Sequence, residues 1–342
     1  MATTTNTLSA TFAELTKHID SGSKNPEIRA AYLSVIGYGI NSEMRSAIDS
    51  LKNSASIVKG RSSSGAAGDK PVIDPAILKG ETSYTRPNGD LYYARKWGEH
   101  MDVAVLQKAR DTSMYTLLYG APGCGKTALT EGAFGLNMFT VLGSGDTEVA
   151  DLVGGYVQTA GGNFHWEDGP LLKAAEAGAV LLIDEIGLID TKVLSIVYGL
   201  MDGRKEYNVT ANPERGVVKA KPGFFVVAAT NPNAPGVRLS EALLSRFSIH
   251  VEMTTDWNLA RKLGVPTDIV TAAQNLSKKM GVGEVSWAPQ FRELLAFRDL
   301  SATFGTPFAI ANLLAAAPEL DRPSVADVFS RVFGEQCLPA AI

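Results

Sequence analysis

Five short apolar runs punctuate the middle of the chain, at 115–119, 138–142, 179–183, 224–229 and 249–251. Between them, helical spacing of apolar positions predicts helices over 126–134, 170–177, 192–201 and 240–245. Runs that short and that continuously apolar, alternating with helices, predict a parallel sheet covered on both faces. Ligands of such sheets sit beyond the carboxyl ends of the strands. From 257 onward the pattern is wholly helical, over 257–264, 268–280, 288–303, 307–316 and 324–333, which predicts a second, smaller domain. Ahead of the sheet, Leu8, Phe12, Leu15 and Ile19, then Ile28, Tyr32 and Val35, then Met44, Ile48 and Leu51 have helical spacing. The stretch 54–70 is rich in Ser, Gly and Ala and reads as a linker. Two β-prone runs within 84–97 flank Pro87-Asn88-Gly89, a hairpin signature, and 102–110 reads as a helix. The expected organisation is a helical segment 1–53, a flexible linker 54–82, an α/β core 83–255 and a helical domain 256–342.

The string GAPGCGKT, Gly120 to Thr127, follows the first of the five apolar runs and opens a predicted helix. Gly, four residues, Gly-Lys-Thr is the phosphate-binding loop: its backbone N–H groups wrap a polyphosphate and the helix N-terminus points at it. Lys126 supplies charge to the outer phosphates, and the Thr127 hydroxyl is a ligand for Mg²⁺. Average residue usage gives such a string by chance about once in a hundred chains of this length. Its strand–loop–helix setting makes that coincidence rarer still.

Two further runs end in chemistry. The third run closes on Asp184-Glu185, 58 residues after Lys126. Paired acids at a buried strand's carboxyl end divide two tasks of nucleotide hydrolysis: Asp184 to hold Mg²⁺, Glu185 to polarise the attacking water. The fourth run ends in Thr230-Asn231-Pro232. There Asn231 either senses a γ-phosphate or merely turns the chain with its proline. After it, Ser240 caps a short helix ending at Arg246, which is either a surface charge or an arginine that reaches a neighbouring subunit's nucleotide. Tyr92, Tyr93 and Trp97 either wall a base pocket or simply pack.

Composition adds few constraints. Hydrophobic content of 45% and charged content of 20% match an ordinary globular chain long enough for about two domains. A formal charge of −4 provides no general polyanion-binding face, which weighs against nucleic acid as the partner. Two cysteines, Cys124 and Cys337, make no disulfide framework, and the four histidines have no metal-site spacing. No run approaches 18 apolar residues, and the Ser/Thr-rich start lacks the build of a secretory signal. The expectation is a cytoplasmic protein with no membrane span.

In this order and spacing, GAPGCGKT, LLIDE, ATNPN and ALLSRF resemble the AAA+ ATPases. The likeness is greatest to their MoxR-like branch, which includes the NorQ/CbbQ-type and gas-vesicle ATPases. Two insertions carry that finer match: 151–172, similar to the branch's hairpin interrupting its second helix, and 203–222, similar to its second hairpin. The resemblance spans about residues 83 to 340 and implies an αβα sandwich followed by an all-helical lid. It further implies a homo-oligomeric ring, usually a hexamer, that hydrolyses ATP with Mg²⁺ between subunits to remodel or activate a protein client. A von Willebrand-type metal-binding partner often accompanies this branch. By motif, Gly120, Ala121, Pro122, Gly123, Cys124, Gly125, Lys126, Thr127 and Ala128 bind ATP, and Thr127 and Asp184 hold Mg²⁺. Glu185 is the catalytic base, Asn231 the first sensor, Arg246 the finger acting in trans and Arg292 the second sensor. Phe164 and Trp166 sit on the hairpin that faces the pore of related rings, where they either grip a client or pack on their own subunit. Two departures stand out: Cys124 where Thr or Val is usual, and Ser245 where Asp commonly precedes the Arg-Phe pair. Cys124 reads as tolerated, with oxidation as a route to blocking the site. The rival functions are a nucleic-acid-dependent motor of the McrB type and a slow nucleotide-switched scaffold.

Overall fold

The computed structural model describes residues 82–334 and 336–339. The expected helical segment 1–53, and all of the expected linker but its last residue, lie outside them. The predicted hairpin forms from β1 (Ser83–Thr85) and β2 (Leu91–Tyr93), turned at Gly89. A second, two-residue ladder follows, β3 (Lys96–Trp97) with β4 (His100–Met101), too short to leave a pattern in the sequence. Helix α1 (Asp102–Asp111) then leads to β5 (Thr116–Tyr119).

Beyond β5 lie α2 (Lys126–Phe134), β6 (Met138–Leu142), α3 (Val149–Val153), and the hairpin β7 (Gly154–Gln158) and β8 (Phe164–Asp168). The chain continues through α4 (Pro170–Ala177), β9 (Val180–Asp184), a 3₁₀ turn at Ile186–Leu188 and α5 (Thr191–Met201). Next come the hairpin β10 (Glu206–Asn208) and β11 (Val217–Lys219), then β12 (Phe225–Thr230), α6 (Glu241–Leu244) and β13 (Ile249–Glu252).

Strands β13, β5, β12, β9 and β6 form one parallel sheet in that order. From β5 the chain first crosses to the far edge at β6 and later returns to β13 on the opposite side. The order reverses beside β5, and that switch point is where such a sheet binds ligands. Burial follows position. In β9 the residues from Val180 to Ile183 are wholly buried, and all six of β12 are buried, because helices cover both faces. Edge strands β6 and β13 alternate between covered and open positions.

The first predicted insertion is the β7–β8 hairpin between α3 and α4, and the second is the β10–β11 hairpin. Arg215, in the loop of the second, donates to both carboxylate oxygens of Asp168 and pairs with Glu176 of α4 at 2.7 Å. These bonds hold the Asp168 carboxyl below its usual pKa against the opposing pull of burial. The two insertions are thereby tied together and to the helix behind them.

A separate hydrophobic cluster forms among α7 (Trp257–Lys262), α8 (Thr267–Gly281), α9 (Phe291–Phe304), α10 (Thr306–Ala315) and α11 (Arg322–Phe333). Its centre holds Leu276, Phe297 and Phe329. Helix α9 begins three residues later than the pattern predicts. Gln290 caps it, its backbone N–H donating to Glu293 at 2.9 Å, and Pro289 keeps residue 288 out of helical geometry. Among the described residues, no helix is long and apolar enough to cross a membrane.

Candidate functional site

The loop after β5 enters α2 through Gly125, whose φ of 99° is open only to glycine at little strain. No side chain caps α2, so the N–H groups of its first turn remain for a ligand. The Lys126 ammonium is buried and donates to the Gly120 and Ala121 carbonyls at 2.8 and 3.1 Å. Thr127 donates its hydroxyl proton to Asp184 Oδ2 at 2.7 Å. One hydroxyl and one carboxylate at that separation are the hard oxygen donors that Mg²⁺ takes, and the loop beside them suits a phosphate chain. The residues present therefore fit both groups.

Glu185 follows Asp184 in the left-handed region, φ 51°, which turns its side chain back toward the end of β12. There Asn231 donates its backbone N–H to Glu185 Oε2 at 3.4 Å. Gly143, just past β6, braces the same tip by donating to the Asp184 carbonyl at 2.7 Å. A Cβ at that position would stand 2.6 Å from the Glu185 carbonyl and 2.8 Å from Ile189. Gly143→Ala should therefore displace the acids and take about 1–3 kcal/mol off the unfolding free energy. Melting curves check this, and a variant with the wild-type midpoint would show that the tip tolerates a methyl group.

The cleft above the loop is lined both by Lys126, Thr127, Asp184 and Glu185 and by Leu91, Tyr93, Leu259, Leu263, Phe291 and Leu295. The charged group suits a phosphate chain and the apolar group an aromatic base. Tyr92 and Tyr93 both line the cleft, Tyr92 also packing near Gly132, and Trp97 is not among its lining residues. Arg292 also lines it, and its backbone N–H donates to the Gly123 carbonyl at 3.2 Å. The nearby Arg298 is held elsewhere, on Asp299 and the Leu263 carbonyl.

Arg246 is not among the cleft's lining residues. Its guanidinium carbon lies 3.9 Å from the centroid of the Tyr198 ring. Nη1 donates to the Ala242 carbonyl at 2.6 Å, and Nε lies 3.5 Å from Asp202. The cation is thus stacked on Tyr198 of α5 and held in place by its own chain.

Cys124 is buried, and burial pushes its thiol pKa up against the opposing pull of Lys126 and Arg95. A covered, protonated thiol is a poor starting point for the oxidation anticipated from sequence. The two hairpin aromatics divide. Trp166 packs on the core, edge-on to Tyr156, with its ring N–H on Asp168 at 2.7 Å, whereas Phe164 is 66% exposed.

One group had no signal in the sequence. Arg95 Nη1 donates to the Cys124 carbonyl at 3.2 Å and to the Thr254 carbonyl at 3.0 Å, and Arg86 pairs with Glu131 at 2.6 Å beside the same cleft. Their partners lie far along the chain; an Arg and an Asp seven residues apart, Arg95 and Asp102, were the nearest hint.

Residues 115–247 match the AAA domain of the dynein-related subfamily. The chain is 31% identical to Protein NorQ of Paracoccus denitrificans over 65% of its own length and 81% of that protein's. It is 33% identical to the denitrification regulatory protein NirQ of Stutzerimonas stutzeri over 37% of its length and 46% of that protein's. Among solved structures, NtrX from Brucella abortus aligns over 92% of this chain and 74% of its own at 14% identity, with a TM-score of 0.43.

Proposed function

Because the chain belongs to the MoxR-like branch of the AAA+ ATPases, we propose that it hydrolyses ATP at the interfaces of a homo-oligomeric ring and uses the cycle to remodel or activate a protein client. The observation that carries this is the Thr127–Asp184 contact with Lys126 and Glu185 alongside it, the parts needed for phosphoryl transfer to water in one cleft. Lys126 and the N-terminal turn of α2 hold the phosphate chain. Thr127 and Asp184 hold Mg²⁺, which when bound neutralises charge on the β- and γ-phosphates. Glu185 takes the proton from the attacking water, and Asn231, which bonds to it, orients that water.

Arg246 acts on the neighbouring subunit's nucleotide. Its place outside its own cleft supports this reading, and Tyr198 and Asp202 hold the guanidinium ready. Arg292 reads the nucleotide from the lid side. Phe164, exposed at the end of the β7–β8 hairpin, supplies the grip on the client.

The test is ATP turnover by the full chain with and without Mg²⁺, alongside sedimentation with and without ATP. Mg²⁺-dependent hydrolysis by an oligomer is expected. Hydrolysis by a monomer at the same rate would overturn the ring. Strong stimulation by DNA or RNA, declining steeply with salt, would replace the protein client with a nucleic acid.

A further inference from the structure

The α/β core and the helical part have separate hydrophobic clusters, and the chain passes between them at Met253 to Asp256. Arg95 stands at that passage. Its guanidinium is anchored from behind. Asp102 accepts the Tyr92 hydroxyl proton on Oδ2, and on Oδ1 it accepts the backbone N–H groups of Arg95 and Val103 at 3.0 and 2.8 Å. Arg95 Nε in turn donates to the Tyr92 hydroxyl at 3.2 Å and lies 3.6 Å from Asp102. From this fixed base, the single nitrogen Nη1 donates forward to two carbonyls at once. One is Cys124 in the phosphate loop and the other is Thr254 in the passage. Nη2 reaches the Met253 sulfur at 3.7 Å.

We propose that Arg95 is a positioning residue that couples the phosphate loop to the hinge of the helical domain. Through it, a phosphate chain on the loop sets the placement of the helices that close the cleft. The inference rests on the nucleotide-site reading above. Its physical basis is the sharing of Nη1. Nη1 carries two N–H groups fixed in the guanidinium plane, one for each carbonyl, so a shift of the Cys124 carbonyl that draws its own N–H along also moves the N–H aimed at Thr254. Burial and the Tyr92–Asp102 anchor leave the guanidinium little room to rearrange on its own, so it moves as one plate and passes the shift on, the side chain being only 16% exposed. A lysine keeps the charge beside Asp102 but lacks the planar fork, so it cannot hold the anchor and both carbonyls together.

The experiment compares the full-length wild type, Arg95→Lys and Tyr92→Phe, the last removing only the anchoring hydroxyl. Each is measured for melting temperature, for affinity toward a fluorescent non-hydrolysable ATP analogue, and for amide exchange across 254–262 with and without that analogue. In the wild type the analogue should slow exchange there by about tenfold, a local change that global stability does not produce. In Arg95→Lys the slowing at 254–255, which do not line the cleft, should vanish, while slowing at Leu259, which does, persists, binding stays within about threefold and the protein remains folded. Tyr92→Phe should retain about half of the effect on a logarithmic scale. An unchanged analogue-dependent slowing at 254–255 in either folded variant would overturn the coupling role. So would a wild type that binds the analogue with no change across 254–262. A wild type that binds no analogue would overturn the nucleotide site itself, a result the affinity measurement distinguishes.

Discussion

Glu185→Gln should reduce ATP turnover by at least about a hundredfold while leaving nucleotide affinity near the wild-type value. The amide keeps the size of the side chain and an oxygen able to accept the Asn231 N–H. What it loses is the capacity to take a proton from water. Binding is expected to survive because Lys126, Thr127 and the first turn of α2 are untouched. Steady-state phosphate release and titration with a fluorescent nucleotide measure the two halves separately. Retained turnover would remove Glu185 from the role of base. The same variant, stalled with ATP bound, should retain its client through affinity purification, and the client's identity follows from what is recovered beyond the wild-type control.

Arg246→Ala should be nearly as damaging, with a loss on the order of a thousandfold, the lower range for a trans-acting arginine. The distinguishing result comes from mixtures. Arg246→Ala subunits have a complete phosphate loop, and Lys126→Ala subunits have an intact arginine. Where the two meet in the right order, one interface is whole. Mixed rings should therefore regain part of the activity that neither variant shows alone, rising and then declining with the mixing ratio. No recovery at any ratio would place the action of Arg246 within its own subunit. Tyr198 makes the loss specific to the charge, because the ring face that holds the guanidinium stays packed on α5 when Arg246 is shortened.

Much of this arrangement was legible in the chain because burial writes plainly. Strands covered on both faces must be apolar throughout, so β9 and β12 declared themselves, and the polar residues ending them stood out as candidates. The glycine-rich loop was equally plain, since the backbone geometry it needs leaves few residue choices. Other features depend on convergence across the fold. Arg95 meets partners 29 and 159 residues away, and no local pattern joins them. Gly143 reads as an ordinary loop glycine until the end of β9 is packed against it. The Tyr198 ring under Arg246 belongs to a helix whose periodicity announces only its buried face. The β3–β4 ladder is too short for any period to appear.

The bonds from Arg215 to Asp168 and Glu176 have a mechanical meaning. A lone two-stranded ribbon is marginally stable on its own. Here the ribbon carrying Phe164 is braced by the second insertion and riveted to α4, which is packed on the central sheet. A pull at Phe164 is then carried by a stiff lever with its fulcrum in the core. On the function proposed above, Arg215→Ala should leave ATP turnover near the wild-type value while weakening any work done on a client.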